Sequence, residues 1–357
     1  MIVDNGEQNM NSTVNFNKHK LKNSNSKKIL KLKPLAILDD KYYLIKKLGK
    51  GSTSSVFLGF SPKDPEHKLY SFKLIKPSNI NETLFKKEVS ILSNLNHQNI
   101  LQIYKSGESI IKKSKKEEKR VYYIIEEFMQ YGELLNYIYL TNGFGENYGR
   151  IIFSSLLDAI EYLHNNNIVH RDIKADNIMI NSNLEIKLVD FGFATNSIKN
   201  NNLIDLENNN EKGKLNTFLG TPNYAAPELH LKIPYYGKSN DIFSLGVTLF
   251  IIVTGTLPFK LPLPNDPLYQ FIFKNDYIGF WIKRKLNLSQ NFMELFESLV
   301  AFDYSQRPTI SEIKCSKWMK EINFDLKDQL KEEIKKRFFV IKNNENNYKV
   351  KKSNVYK

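Results

Sequence analysis

Two short segments hold polar side chains of the types, and in the order, needed for metal-assisted group transfer. In the first, Ile168-Val169-His170-Arg171-Asp172-Ile173-Lys174-Ala175-Asp176-Asn177-Ile178-Met179-Ile180, a polar cluster is bounded by apolar runs. Thirteen residues beyond Asn177 comes Asp190-Phe191-Gly192, behind the mostly apolar stretch Ile186 to Val189. Two carboxylates, Asp172 and Asp190, with the amide Asn177, all in loops at strand ends, suit magnesium coordination and orientation of a hydroxyl nucleophile.

Two further segments supply charge and backbone. Leu48-Gly49-Lys50-Gly51-Ser52-Thr53-Ser54-Ser55-Val56 joins two apolar runs with glycines two apart. Glycine lets backbone N–H groups approach phosphate oxygens, although the same composition also makes an ordinary hairpin turn. In Leu69 to Ile75, alternation places Lys73 with Ser71 and Ile75 on one strand face, opposite Tyr70, Phe72 and Leu74. One reading of Lys73 is an edge lysine reaching water. Against it stands Glu88, which shares the expected stripe of Leu84, Ile91, Leu92 and Leu95 on a helix over 82–95. An inward carboxylate costs several kcal/mol unless paired, and Lys73 is the partner that explains both charges.

In this order the residues resemble the eukaryotic serine/threonine protein kinases, from about Tyr43 to about Met319. The resemblance is carried by Gly49 and Gly51 with Val56, Lys73, Glu88, His170-Arg171-Asp172 with Asn177, Asp190-Phe191-Gly192, Ala226-Pro227-Glu228, Asp241 and Arg307. Pro222-Asn223-Tyr224-Ala225-Ala226-Pro227-Glu228, Gly132-Glu133-Leu134 and Thr256-Leu257-Pro258-Phe259 are most similar to the calmodulin-dependent and AMP-activated branch.

The resemblance implies an α+β, two-lobed fold: a small five-stranded antiparallel lobe with one regulatory helix, then a larger, mainly helical lobe. ATP and magnesium are the implied cofactors, and protein serine or threonine hydroxyls the acceptors. By the same resemblance Lys73 binds the α and β phosphates and pairs with Glu88. Asp190 and Asn177 hold magnesium, Asp172 takes the hydroxyl proton and Lys174 steadies the γ-phosphate. Leu48, Gly49, Lys50, Gly51, Ser52, Val56, Ser71, Lys73, Glu127, Met129, Glu133 and Met179 are the implied nucleotide-binding residues. Glu228 and Arg307 form a structural pair, Asp241 holds the catalytic loop, and Leu92, Ile103, His170 and Phe191 form a hydrophobic stack.

Thr217 takes the place of an activating phosphothreonine that an upstream kinase would modify, with Arg171 as phosphate partner. Glu133 implies basic residues before the acceptor, and Ile251, where a second acid sits in some basophilic members, narrows that preference. Ser54 and Ser71 replace the usual glycine and alanine with small residues. Glu126 aligns with the gatekeeper behind the nucleotide, where apolar residues or threonine are usual. A buried acid there needs a cation or a raised pKa; a one-residue misalignment and a solvated orientation are the competing readings.

The elements that must position these residues follow from composition. The 357 residues carry 41% hydrophobic and 25% charged side chains, which excludes a wholly disordered, collagenous or membrane-embedded chain. Net charge is +14, but residues 1–40, 112–120 and 321–357 contribute +3, +4 and +4 of it. A nucleic-acid interface therefore rests on charge alone, and no such partner is expected. Apolar runs too short to cross a bilayer, no signal-like segment and a single cysteine, Cys315, give an expectation of an intracellular, cytoplasmic protein, with the nucleus open.

The expected divisions are a disordered Asn-rich tail over 1–40, a strand-rich lobe over 41–129, a helical lobe over 130–320 with an activation segment over 190–228, and a basic, partly helical tail over 321–357. Ile111 to Arg120 and Asn196 to Lys214 read as flexible insertions. In the tail, Leu326, Leu330, Ile334 and Phe338 recur every four residues among Lys335, Lys336 and Arg337. Two readings stay open: a calmodulin-type or autoinhibitory helix, and a helix packed on the larger lobe. The alternative class for the whole chain is a catalytically silent kinase fold used for binding.

Overall fold

Apolar runs between Tyr42 and Ile75 form three antiparallel strands, in which Leu44 of the first, Phe60 of the second and Phe72 of the third are fully buried. The computed structural model describes residues 33–51, 53–114, 117–197 and 214–343. The expected tail up to residue 32, Ser52, the Asn-rich stretch 198–213 and the end from 344 lie outside the described residues. By packing, the chain divides into two units, one of residues 1–76 with 107–123 and one of 77–106 with 124–357.

The sheet has strands β1 (Ala36–Leu38), β2 (Tyr42–Lys50), β3 (Ser54–Phe60), β4 (Tyr70–Ile75), β5 (Ile103–Ser114) and β6 (Glu117–Glu127), in the closed order β1-β2-β3-β4-β6-β5. Leu38, Leu44, Phe60 and Phe72 fill its interior. The expected five strands are six. β1 lies inside the segment expected as tail, and its Ile37 and Leu38 pair with β2 on one side and with Lys112 and Ile111 of β5 on the other.

The expected insertion Ile111 to Arg120 is instead mostly strand. Opposite charges meet across the two strands, Lys113 with Glu117 and Glu108 with Arg120, and Lys119 pairs with Glu117 along β6 itself.

In the second unit, helix α1 (Asn79–Leu92) starts at Ser78, whose hydroxyl accepts from Asn81 N–H. Its inward face is Phe85, Glu88, Ile91 and Leu92, while Leu84, expected in that stripe, is exposed. There follow β7 (Gly132–Glu133), α2 (Leu134–Thr141), α3 (Gly145–Asn165), β8 (Ile168–Val169), β9 (Ile178–Ile180), β10 (Ile186–Leu188), β11 (Thr195–Asn196) and β12 (Lys214–Leu215). The chain continues through α4 (Pro227–His230), β13 (Tyr235–Tyr236), α5 (Gly237–Thr254), α6 (Tyr269–Phe273), α7 (Tyr277–Arg284), α8 (Gln290–Leu299), α9 (Ile310–Lys314), α10 (Lys317–Lys320) and α11 (Lys327–Asn343).

Helix α5 is buried nearly all round, as its apolar run from Leu245 to Val253 requires, and it packs against α3 and α8. A Cβ added at Gly246 would stand 2.7 Å from Leu299 Cβ, so glycine permits that approach. Among the described residues no helix is long and apolar enough to cross a membrane.

Candidate active site

The polar segment after β8 is held from below by Asp241 of α5, which is buried in the core. One carboxylate oxygen accepts the His170 N–H at 2.9 Å and the other the Arg171 N–H at 2.9 Å. His164 of α3 faces the same carboxylate at 3.0 Å. The backbone before Asp172 is thus bonded to α5 through a carboxylate that α3 also contacts. The His170 ring lies edge-on to Phe191, centroids 4.9 Å apart. Burial pushes its pKa down, and the neutral ring suits a bond from Nε2 to the Val189 carbonyl with Nδ1 accepting from Asp172 N–H.

Asp172 is 5% exposed, with both carboxylate oxygens engaged. Oδ2 accepts from Lys174 Nζ at 2.6 Å and from Asn177 Nδ2 at 3.0 Å. Oδ1 accepts from the Thr221 N–H at 3.0 Å and the Thr221 hydroxyl at 2.7 Å, and that hydroxyl accepts in turn from Lys174 at 2.7 Å. Burial pushes the Asp172 carboxyl up, but the bond and charge of Lys174 and the Thr221 bond hold it below the ordinary aspartate value. It is a carboxylate kept ionised at neutral pH in a largely buried place. Thr221 was missed in the sequence reading. Its signal is the Gly-Thr-Pro turn just before Ala226-Pro227-Glu228, and Gly220 there has a φ of 133°.

Asn177 ends a single 3₁₀ turn and also donates to the Asp172 carbonyl at 2.9 Å. Its amide nitrogen is committed to Asp172, so the amide oxygen is the group it can offer a cation. Its carbonyl accepts Val189 N–H at 2.9 Å, which ties this turn to the strand leading into Asp190. Asp190 is exposed, with a left-handed φ of 63°. One carboxylate and one amide oxygen fit magnesium, which keeps most of its waters and shares phosphate oxygens, better than an all-protein cage. Among the described residues there is no group of three or more His, Cys, Asp or Glu that could hold a metal ion.

The other expected residues fall as follows. Met129 packs in a small apolar cluster with Leu101 and Val189, against which Met179 lies half-buried. Glu127 is paired with Lys187 at 3.0 Å and accepts from Asn181 at 2.9 Å. Glu133 sits just before α2, in register with Met179. Glu126 is 8% exposed, which removes the solvated orientation from its three readings.

Leu92 and Phe191 share the main core of the second unit, and Ile103 packs against it. In the sheet unit, Lys73 is half-buried on β4, in register with Val56, and Ser71 is buried on the same strand. Gly51 N–H donates to Ser54 O at 2.9 Å and closes the turn after Leu48, Gly49 and Lys50. A Cβ at Gly49 would meet nothing within 4 Å, so the fold itself does not demand glycine there, whereas a ligand approaching the backbone would.

Arg171, also with a left-handed φ, donates through Nε to Phe193 O at 2.7 Å and through Nη1 to the Thr217 hydroxyl at 2.7 Å. Thr217 is further fixed by Tyr235, whose hydroxyl donates to its carbonyl at 2.9 Å. Arg307 and Glu228 form a bidentate pair with both N–O distances 2.8 Å. What the arrangement can do is bring an ionised carboxylate, a lysine and two oxygen ligands to one loop system. The expected Asp172, Lys174, Asn177 and Asp190 all belong to it.

Comparison with known proteins agrees with that chemistry. The protein kinase domain family matches residues 42–319. The chain is 33% identical over 288 residues to the serine/threonine-protein kinase SIK1 of Mus musculus, covering 78% of this chain and 32% of the relative. It is 32% identical over 282 residues to the probable serine/threonine-protein kinase MARK-A of Dictyostelium discoideum, covering 78% and 24%. Its identity to the serine/threonine-protein kinase SIK2 of Gallus gallus is 32% over 285 residues, covering 78% and 32%. The chain thus spans about a third or less of the length of these relatives.

Proposed function

Since the chain belongs to the serine/threonine protein kinases of the branch related to the AMP-activated kinases, we propose that it transfers the γ-phosphate of ATP to serine or threonine hydroxyls of protein substrates. The observation that carries the reading is Asp172, held ionised by Lys174 and Thr221 beside the Asn177 amide.

Asp172 accepts the proton of the acceptor hydroxyl as its oxygen bonds to the γ-phosphorus, and the bond from that phosphorus to the bridging oxygen of ADP breaks. Lys174 steadies the transferred group. Asn177 and Asp190 would hold magnesium, which when bound neutralises charge on the phosphates. The protein's contribution is positioning and fixed charge, which a loose phosphoryl transition state requires.

In the sheet unit Lys73, Ser71 and the turn Leu48 to Val56 with Ser52 are assigned to the nucleotide, and in the second unit Glu88, Glu127, Met129 and Met179, with Glu126 aligned to the gatekeeper position. Glu133 takes the ribose and a basic residue upstream of the acceptor, so the preferred substrates are basic. Thr217 is the site of activating phosphorylation by an upstream kinase, because Arg171 already lies 2.7 Å from its hydroxyl. Cys315, free and exposed, suits the reducing cytoplasm.

The test is magnesium-dependent transfer of labelled phosphate to a basic peptide, abolished by Asp190→Ala. Nucleotide binding without transfer would replace this function with a silent kinase fold.

A further inference from the structure

Beyond the residues that the kinase family matches, α11 returns onto the segment Tyr131 to Phe144, which contains Glu133 and α2. Leu330 and Ile334 dock the helix in the core. That accounts for its attachment. It does not account for Arg337, which is 7% exposed. Its Nε donates to Glu333 at 2.8 Å. Its Nη1 donates to the carbonyls of Tyr137 and Gly143, each at 3.3 Å, and its guanidinium carbon stands 3.9 Å from the centre of the Phe144 ring.

The next side chain, Phe338, packs on Tyr131 with ring centres 4.8 Å apart. Consecutive residues of α11 therefore grip both ends of one segment. The segment is braced internally as well, since the Tyr137 hydroxyl donates to the Tyr131 carbonyl.

A buried guanidinium is tolerable only where its charge is answered. Here Glu333 answers it on one side. On the other stand the Tyr137 carbonyl within α2, the Gly143 carbonyl just past its C-terminal end, where the helix dipole is negative, and the Phe144 ring face. Lysine, a point charge without the planar fork, cannot serve two carbonyls and a ring together.

We propose that Arg337, assisted by Phe338, is a positioning residue that fixes the Tyr131 to Phe144 segment and so sets the Glu133 carboxylate for the basic residue of the acceptor peptide. The proposal rests on the function given above. The sequence reading named Arg337 with Lys335 and Lys336 among the basic residues of the tail helix; its burial sets it apart as a brace.

The experiment uses the full chain and compares Arg337→Ala and Arg337→Lys with wild type, at a temperature where all three are folded by circular dichroism. With a basic peptide as acceptor, both variants are expected to raise the peptide KM about fivefold or more while kcat stays within about twofold. Amide hydrogen exchange at 137–144 is expected to accelerate about tenfold, with 170–172 unchanged.

A lower Tm with unchanged KM and unchanged exchange makes the helix a strut and overturns the proposal. A rise in kcat/KM overturns it too, since α11 would then restrain the site. A wild-type chain that transfers no phosphate defeats the kinase function instead, and the exchange comparison then decides alone whether Arg337 holds the segment.

Discussion

Two carboxylates of the larger unit each meet a cation, and they are held in opposite ways. Glu228 meets Arg307 through two parallel bonds of 2.8 Å, and the arginine also donates to the Ala301 carbonyl and stacks on Phe243. Asp172 meets Lys174 through a single bond of 2.6 Å, and its other oxygen is held by Thr221. The planar fork of arginine cannot be re-aimed without breaking both bonds, whereas the lysine ammonium on its flexible stem can turn to a new partner. The first pair fixes a shape. The second holds the proposed base through a partner that can let go.

That contrast is open to test. The largest effect is expected from Asp172→Asn, which removes the proposed base without a change of size: kcat should fall about 10³-fold, with Tm moved by no more than about 2 °C. Arg307→Ala should do the reverse. Leaving Glu228 buried and unanswered costs about 3–5 kcal/mol, read as a lower denaturation midpoint, while the folded fraction retains activity. A kcat loss as large as that of Asp172→Asn at full folding would erase the distinction.

Lys174→Met sharpens it through pH. In the wild type the pKa of the Asp172 carboxyl lies below its ordinary value, so the ionised form persists as pH falls through that ordinary value and is lost only as pH falls through the depressed one. Any stability linked to that ionisation is likewise present above the ordinary value and disappears as pH falls through the depressed one. Without Lys174, burial dominates and pushes the carboxyl up, so the acidic limb of the kcat profile should move to higher pH. An unmoved limb would mean that Lys174 does not set the ionisation.

Smaller effects belong to the activation segment. Gly220→Ala places a Cβ 2.9 Å from the Arg171 carbonyl at a φ of 133° and should cost about 1–3 kcal/mol, with loss of activity, because Thr221 would shift from Asp172. Thr217→Ala removes one bond to Arg171, about 1 kcal/mol, from unphosphorylated protein. Its larger consequence should appear only after treatment with an upstream kinase, when wild type gains activity and the variant does not.

The clustering of Asp172, Lys174 and Asn177 was legible in the sequence because it is local: the three lie within six residues, bounded by apolar runs, and bond to one another. Partners distant along the chain were not. Thr221 lies 49 residues from Asp172, and Arg337 lies 200 residues from Tyr137, so no periodicity links them. Helical phase failed by one position in α1, where Phe85 and not Leu84 joins Glu88 inside. The hairpin of β5 and β6 was hidden by its charged residues, among which Lys113 of β5 pairs with Glu117 of β6 and Glu108 of β5 with Arg120 of β6. The short apolar run of β1 was diluted by the Asn, Lys and Ser around it.

That run of three residues closes the sheet. By bonding to two neighbours at once, Ala36–Leu38 leaves the six-stranded sheet without an open border. A strand border is a template on which a foreign chain can add itself, and closure removes the template. Trimming the chain to begin at Tyr42, where the family match starts, would bare β2 and β5 together and invite self-association of an otherwise folded protein.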